Sequence, residues 1–347
     1  MDEQSATGEP ESCNRKPAVT IYDIAQVAGV SPSTVSRALN KPGRINAKTE
    51  QRVREAAQSL GYRLNPMARA LPTGRTGTLG LLVSDLTNPL YFDLVGSAER
   101  AASAAGHTLV LAESRESAEA ERATAERLQP AVDGLLLVAT RLDDAEIAGL
   151  AAAKPLVLVN RRVPGVPSVA PDVSPGIAQT LDHLQAAGHR AVGYLSGPAG
   201  SWPNRERWEV LFEQALARGL SIVEIPAGVP TMDGGADGLR RVLASGITAV
   251  VTFNDLMALG LLRACRADGI DVPGRLSVVG FDDIFGAELT TPALTTVRSP
   301  LAAIGEAATA RLLAEIRGEN GGPSEVVLPT ELVVRESAGP PDGSGRA

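Results

Sequence analysis

Apolar positions divide the chain into two unlike parts. From residue 78 onward, short apolar runs alternate with longer Ala-rich amphipathic stretches. TLGLLV (78–83), HTLVLA (107–112), GLLLV (134–138), PLVLV (155–159), AVGYL (191–195), LSIVEI (220–225), ITAVVTF (247–253) and LSVVGF (276–281) predict buried strands. The stretches near 91–105, 117–129, 174–187, 204–218, 235–245 and 255–267 predict helices between them. Such alternation builds βα units, whose parallel sheets carry helices on both faces. Eight strands of this kind fit one barrel or two smaller sheets, and the pattern alone favours neither. Between residues 20 and 60 the spacing is helical in short pieces. Breakers cluster in PTGRTG (72–77). The segments 1–17 and 336–347 have no periodicity and are expected to lack fixed structure.

The first block predicts three helices. Thr20 and Asp23 have the spacing of a capping box. Ile21, Ile24, Ala25 and Ala28 share one face, and Gly29 suits the left-handed residue that ends such a helix. Ser31 caps a second helix with Pro32 at its first position. Val35 and Leu39 turn inward, leaving Ser33, Thr34, Ser36, Arg37 and Asn40 outside. These are short hydrogen-bonding groups and one bidentate donor, suited to phosphates and base edges. A third helix, capped by Asn46, buries Val53, Ala56, Ala57 and Leu60 and ends at Gly61. Asn65 and Pro66 can start a further short helix with Met67, Ala68 and Leu71 on its apolar face. Alone it is too short to be stable. Two readings remain: two copies pair in a minor groove where Leu71 wedges between base steps, or it is a linker helix packed on the body.

Charge sharpens this picture. The 347-residue chain carries a net charge of −7, yet residues 15–75 hold eleven Lys/Arg against three Asp/Glu. A basic head on an acidic body suggests a local polyanion contact. Cys13 and Cys265, with three scattered histidines, offer neither a disulfide framework nor metal-ligand spacing. No metal or cofactor is expected. No apolar run is long enough to span a membrane, and the first residues lack the apolar core of a secretory signal. The expectation is a cytoplasmic protein.

VTIYDIAQVAGVSPSTVSRALN, followed by KTEQRVREAAQSLGYRLNPMARAL, resembles the DNA-binding head of the lactose/galactose repressor (LacI/GalR) family. VSDLTNPLYF (83–92), HLQAAGHRAVGYLSGP (183–198), FNDLMALGLL (253–262), VPGRLSVVGFDD (272–283) and TPALTTVRSP (291–300) extend the resemblance over nearly all the chain except its two tails. The fold implied is a helix-turn-helix head (18–64), a hinge helix and linker (65–77), and a two-lobed, periplasmic-binding-protein-like α/β body (78–335). Lobe 1 is expected at about 78–172 and 299–328, and lobe 2 at about 173–298 and 329–335, with crossings near Asp172, Ser299 and Pro329. The partners implied are double-stranded operator DNA, a second copy of the chain as a homodimer, and a small-molecule effector. By position, Pro32, Ser33 and Arg37 match base-reading sites. Thr20, Tyr22, Ser31, Thr34, Ser36, Asn40, Arg44 and Asn65 match backbone contacts, and Ala68 and Leu71 match the minor-groove hinge. Pro32 has no hydrogen bond to give, so Ser33 and Arg37 are left with most of the direct readout. Pro72 departs from the polar or basic residue expected after Leu71.

The strand ends suggest where a ligand sits. Asn160, Asn254-Asp255 and Asp282-Asp283 each follow an apolar strand, at the carboxyl edge where open α/β sheets bind ligands. Arg207 offers a fork for neighbouring hydroxyls or a carboxylate, and Tyr91 and Phe92 can stack on a ring. The resemblance assigns effector contacts to Tyr91, Phe92, Asn160, Arg207, Asn254, Asp282 and Ser299. Any one of these also reads as a turn, cap or core residue. Val210 stands where the family has glycine, and Pro230 where some sugar-responsive members stack an aromatic ring; Trp202 is a candidate substitute. A sugar or polyol effector is the leading expectation, with a purine, nucleoside or phosphorylated sugar still open. The competing functions are an exported solute-binding protein and a sugar-processing α/β enzyme. Neither a G-x-G-x-x-G after a strand nor a P-loop occurs, and no activated nucleophile accompanies Asp282-Asp283. The leading reading is a repressor and not an enzyme.

Overall fold

The computed structural model describes residues 19–40, 43–62, 75–319 and 322–342. The expected hinge positions Asn65, Ala68, Leu71 and Pro72, the whole N-terminal tail (1–17) and residues 343–347 lie outside that set. The chain divides into two compact units, Met1–Thr76 and Gly77–Ala347.

In the first unit, α1 (Ile21–Ala28), α2 (Pro32–Asn40) and α3 (Ala47–Ser59) pack pairwise. The Thr20 N–H donates to Asp23 Oδ2 at 2.7 Å, closing the capping box. These hydrogen bonds from Thr20 hold the Asp23 carboxyl below its usual range. Gly29, at φ 58°, ends α1 in the left-handed region that a side chain would strain. Ser31 Oγ accepts the Thr34 N–H, and Asn46 accepts from the Lys48 N–H. Ile24, Val35 and Val53 are fully buried where the three helices meet.

The second unit holds two six-stranded sheets. Its elements in order are β1 (Thr78–Val83), α4 (Tyr91–Ala104), β2 (Thr108–Glu113), α5 (Ala118–Leu128), β3 (Gly134–Val138), α6 (Asp144–Ala153), β4 (Leu156–Val159) and β5 (Ser168–Asp172). There follow α7 (Val173–Ala186), β6 (Ala191–Ser196), α8 (Trp202–Ala217), β7 (Ser221–Pro226), α9 (Met232–Ala244), β8 (Ala249–Thr252), α10 (Asp255–Ala267) and β9 (Ser277–Asp282). The last are β10 (Thr295–Arg298), α11 (Leu301–Arg317), β11 (Glu325–Pro329) and β12 (Glu331–Val333). One sheet has the order β11-β5-β4-β3-β1-β2 and is parallel throughout. The other, β12-β10-β9-β8-β6-β7, is parallel except for β12. Two open sheets, not one barrel, therefore resolve the choice that periodicity left. Their central strands are buried on both faces, as the unbroken apolar runs require.

Three passages join the lobes: β5 to α7, β10 to α11, and β11 to β12. Two of them are tied together. The Thr330 hydroxyl donates to the Asp172 carbonyl at 2.7 Å, and the Gly176 N–H donates to that hydroxyl at 3.2 Å. A Cβ on Gly176 would lie 2.6 Å from the same oxygen, so the close approach needs glycine.

Residues 336–342 correct an expectation. The segment 336–347 was expected to lack structure from its Gly, Pro and Ser content, yet Ser337 is fully buried against the second lobe. Its carbonyl and hydroxyl partners explain this: Val278 N–H donates to the Ser337 carbonyl, and the Ser337 hydroxyl donates to the Val278 carbonyl at 2.6 Å. Buried His189 lies 3.0 Å from the Gly339 carbonyl. Bonds to β9 and to the Ala293 carbonyl satisfy backbone groups that burial would otherwise leave unpaired. Among the described residues, no helix is long and apolar enough to cross a membrane.

Candidate functional site

A cleft lies between the two lobes of the second unit, lined by residues of both. Carboxyl ends of strands build it: Ser84 follows β1, Ala139 follows β3, Asn160 follows β4, Asn254 lies just beyond β8, Asp282 closes β9 and Ser299 follows β10. This is where open α/β sheets present loops to ligands. Several of these residues turn the chain sharply. Ala139 (φ 48°), Asn160 (φ 56°) and Asp282 (φ 113°) all sit in the left-handed half of backbone space. Such strain persists only where the surrounding structure enforces it, and it concentrates at ligand clamps.

At the centre, Arg207 of α8 meets Asp282. Arg207 Nη2 donates to Asp282 Oδ1 at 2.9 Å, and Nη1 donates to the Phe253 carbonyl. The guanidinium lies over the Phe281 ring, 3.7 Å from its centre. Both side chains are almost wholly buried, at 4% and 2% exposure. Burial pushes the Asp282 carboxyl up to about 6, and Arg207 partly offsets this. Asp255 lies beneath, accepting from the Thr296 hydroxyl at 2.6 Å and the Ile284 N–H at 2.8 Å. Its carboxyl is raised well above the usual range, first by burial and then by the Asp282 charge. Tyr91, the first residue of α4, bonds Ser84 through its hydroxyl at 2.8 Å, and burial raises its phenol to about 12. It stays protonated at neutral pH.

Six of the seven expected effector residues line this cleft: Tyr91, Asn160, Arg207, Asn254, Asp282 and Ser299. Phe92 does not. It is 58% exposed and stacks on Phe285 with ring centres 6.3 Å apart. One residue further along a helix is a rotation of about 100°, so Tyr91 pointing inward sends Phe92 outward. Asn254 also serves as a helix cap: its Oδ1 accepts the Met257 N–H, and its Nδ2 donates to the Pro230 carbonyl. Pro230 lines the cleft, whereas Trp202 lines a neighbouring pocket. Val210 lies within the unbroken helix α8 and packs against the second lobe's core. Sequence reading missed Ser84, Glu116, Arg141 and Ser201, which also line the cleft. Ser84 carried the signal used for Asn160, a polar residue directly after an apolar strand.

In the head, Thr20, Tyr22, Ser31, Ser33, Arg37 and Arg44 are exposed, and Pro32, Thr34 and Ser36 are half-buried. The hydroxyls of Ser33 and Thr34 each lie 2.9 Å from that of Ser31, gathering three polar groups at the amino end of α2. Asn40 is the last residue of α2.

A three-helix head with an exposed polar second helix, on a chain whose body is a two-lobed binding cleft, defines a ligand-binding DNA-reading protein. The family model for bacterial regulatory proteins of the lacI family matches residues 20–65, and that for a periplasmic binding protein-like domain matches residues 181–338. The HTH-type transcriptional regulator GalR of Escherichia coli (strain K12) is 33% identical over 303 residues, covering 85% of this chain and 88% of GalR. The structure of the lac repressor dimer bound to operator and the anti-inducer ONPF aligns with a TM-score of 0.83 at 28% identity, over 92% of this chain and 99% of that one. The complex of the transcriptional regulator CelR with cellobiose aligns with a TM-score of 0.68 at 32% identity, over 92% and 99%. The chain belongs to the lacI family: it is a DNA-binding transcriptional regulator with a helix-turn-helix head and a periplasmic-binding-protein-like body.

Proposed function

We propose that the protein is a cytoplasmic repressor whose homodimer holds a near-palindromic operator, and whose operator affinity is set by a sugar bound between the lobes. One observation carries the ligand's class. Arg207 Nε, Arg141 Nη1 and Ser299 Oγ, all on residues lining the cleft, are buried with no hydrogen-bond partner among the described residues. Leaving such groups unpaired costs about 1–3 kcal/mol each. A polyhydroxylated ligand supplies the missing partners while its carbon face meets apolar wall residues such as Leu90 and Phe253. Cellobiose in the CelR complex agrees with that chemistry. The arrangement is suited to binding and not to catalysis, because Asp282 is committed to Arg207 and is not free to take a proton from a substrate. A thermal-shift screen of mono- and disaccharides is the test, since a cleft ligand raises stability by mass action. At least one sugar should shift the wild type and fail to shift Asp282→Asn; a screen of nucleosides that succeeds where all sugars fail would contradict the class.

A single helix-turn-helix reads one half-site, so a palindrome needs two copies. Light scattering should give a dimer at micromolar concentration; a monomer that binds operator specifically would contradict this. Within the head, Arg37 projects from α2 and Arg44 from the turn that follows. Arg37→Ala is expected to relax preference at one operator position and to cost about 1–3 kcal/mol. Arg44→Ala should weaken all sequences alike and lower the salt slope by about one unit. Binding profiles across a library of single-base operator variants distinguish the two, and identical profiles would reject the assignment.

A further inference from the structure

The cleft does not end at Arg141. A second pocket adjoins it and shares Arg141 and Ser201 with it. Arg161 and Arg205 complete a set of three guanidiniums around this pocket, and none of its lining residues is acidic. Arg141 is only 9% exposed; its Nε and Nη2 donate to Glu116, leaving Nη1 buried with no partner among the described residues. Arg161 is held by Asp144, a carboxylate 64% exposed to solvent, and sits 5.8 Å from the Trp202 ring centre. Arg205 is exposed on the first turns of α8, whose amino end Ser201 caps.

We propose that this pocket is an anion subsite, and that the effector carries a phosphate or carboxylate on the end that reaches it. The proposal rests on the cleft being the sugar site. A buried guanidinium N–H without an acceptor is costly, and an anionic oxygen satisfies it with a short, strong hydrogen bond. A neutral hydroxyl could satisfy Arg141 alone. Glu116 and Asp144 offset two of the three guanidinium charges from outside this pocket's lining, and Arg205 leaves a net positive field there, which favours an anion over a neutral group. The amino end of α8 adds to it.

Trp202 supplies a reporter. The chain has two tryptophans, Trp202 and Trp208, so Trp208→Phe in the full-length protein isolates it. Inorganic phosphate, titrated at constant ionic strength against chloride, should change Trp202 emission saturably, and Arg161→Gln/Arg205→Gln should weaken that response at least ten-fold. Matched sets of glucose, glucose 6-phosphate and glucuronate, and the same three forms of galactose, are then compared by calorimetry. In at least one set a charged member should bind ten-fold or more tighter than its neutral parent, and the double variant should erase that advantage while leaving the neutral sugar unchanged. No phosphate response beyond that of chloride overturns the proposal. A phosphate response with no advantage for charged sugars also overturns it, since the pocket then takes a free anion. If phosphate binds and none of the sugars does, the sugar reading of the cleft fails and the sugar-borne form of this proposal falls with it.

Discussion

Asp282→Asn should leave operator binding intact in the absence of effector and abolish the response to effector at concentrations that saturate the wild type. Asparagine keeps an oxygen facing Arg207 Nη2, now 2.9 Å from the Asp282 carboxylate, so the fold is spared while the charge is lost. Losing one charged partner in a buried contact costs about 2–5 kcal/mol of binding, or roughly thirty- to several-thousand-fold in affinity. The pH dependence carries a second signature. The Asp282 carboxyl is raised by burial to about 6. A raised carboxyl holds its proton more tightly folded than unfolded. Its contribution to stability is therefore greatest at acid pH and is lost as pH rises from about 4 to about 6. Effector binding to the carboxylate runs the other way: affinity should be constant above pH 7 and fall as pH drops through 6. In Asp282→Asn the residual affinity should be weak and flat across that window. Calorimetric titration from pH 5 to 8 reads both effects, and a full pH-dependent response in the variant would remove Asp282 from the site.

Arg207→Leu should be the most destabilising of these changes. It removes the cation from a pair in which both partners are nearly fully buried, together with the stack over Phe281. Breaking a buried pair from one side costs about 3–5 kcal/mol, because the remaining charge is stranded. Arg207→Leu/Asp282→Leu removes both charges and should recover much of the lost stability, while effector binding stays abolished. Urea denaturation of the wild type, both single variants and the double variant closes the cycle. A double variant no more stable than Arg207→Leu would mean that Arg207 acts by packing alone and not as the partner of Asp282.

How much of this was legible depends on the kind of signal. The eight apolar runs are strands because a strand buried on both faces must be apolar throughout, which is visible in one dimension. β5, β10, β11 and β12 escaped because they are short and carry Pro171, Arg298 or a scattering of Thr and Glu. α6 and α11 were missed too, since Ala-rich segments such as DAEIAGLAAA show no clear apolar stripe. Whether the strands form one sheet or two is set by which strands pair, and alternation is only a local property. Polar groups after strands did point to Asn160, Asn254 and Asp282. The same signal did not find Arg141, which lies beyond the turn after β3, and it could not reveal that Arg207 and Asp282 hold each other across 75 residues of sequence. The pairing of Tyr91 with Ser84, and with it the outward rotation of Phe92, is likewise a tertiary fact.

The central claim is that occupation of the cleft changes how the head holds DNA. The direct measurement is equilibrium binding of the full-length protein to promoter DNA from its own neighbourhood, at two salt concentrations, with and without a sugar that stabilises it thermally. Binding should exceed that of scrambled DNA and weaken steeply with salt. Saturating sugar should shift operator affinity by about five-fold or more, within the usual span of allosteric coupling. A sugar that binds the cleft tightly and leaves operator affinity unchanged would contradict the account, because a ligand with no preference between two states shifts neither.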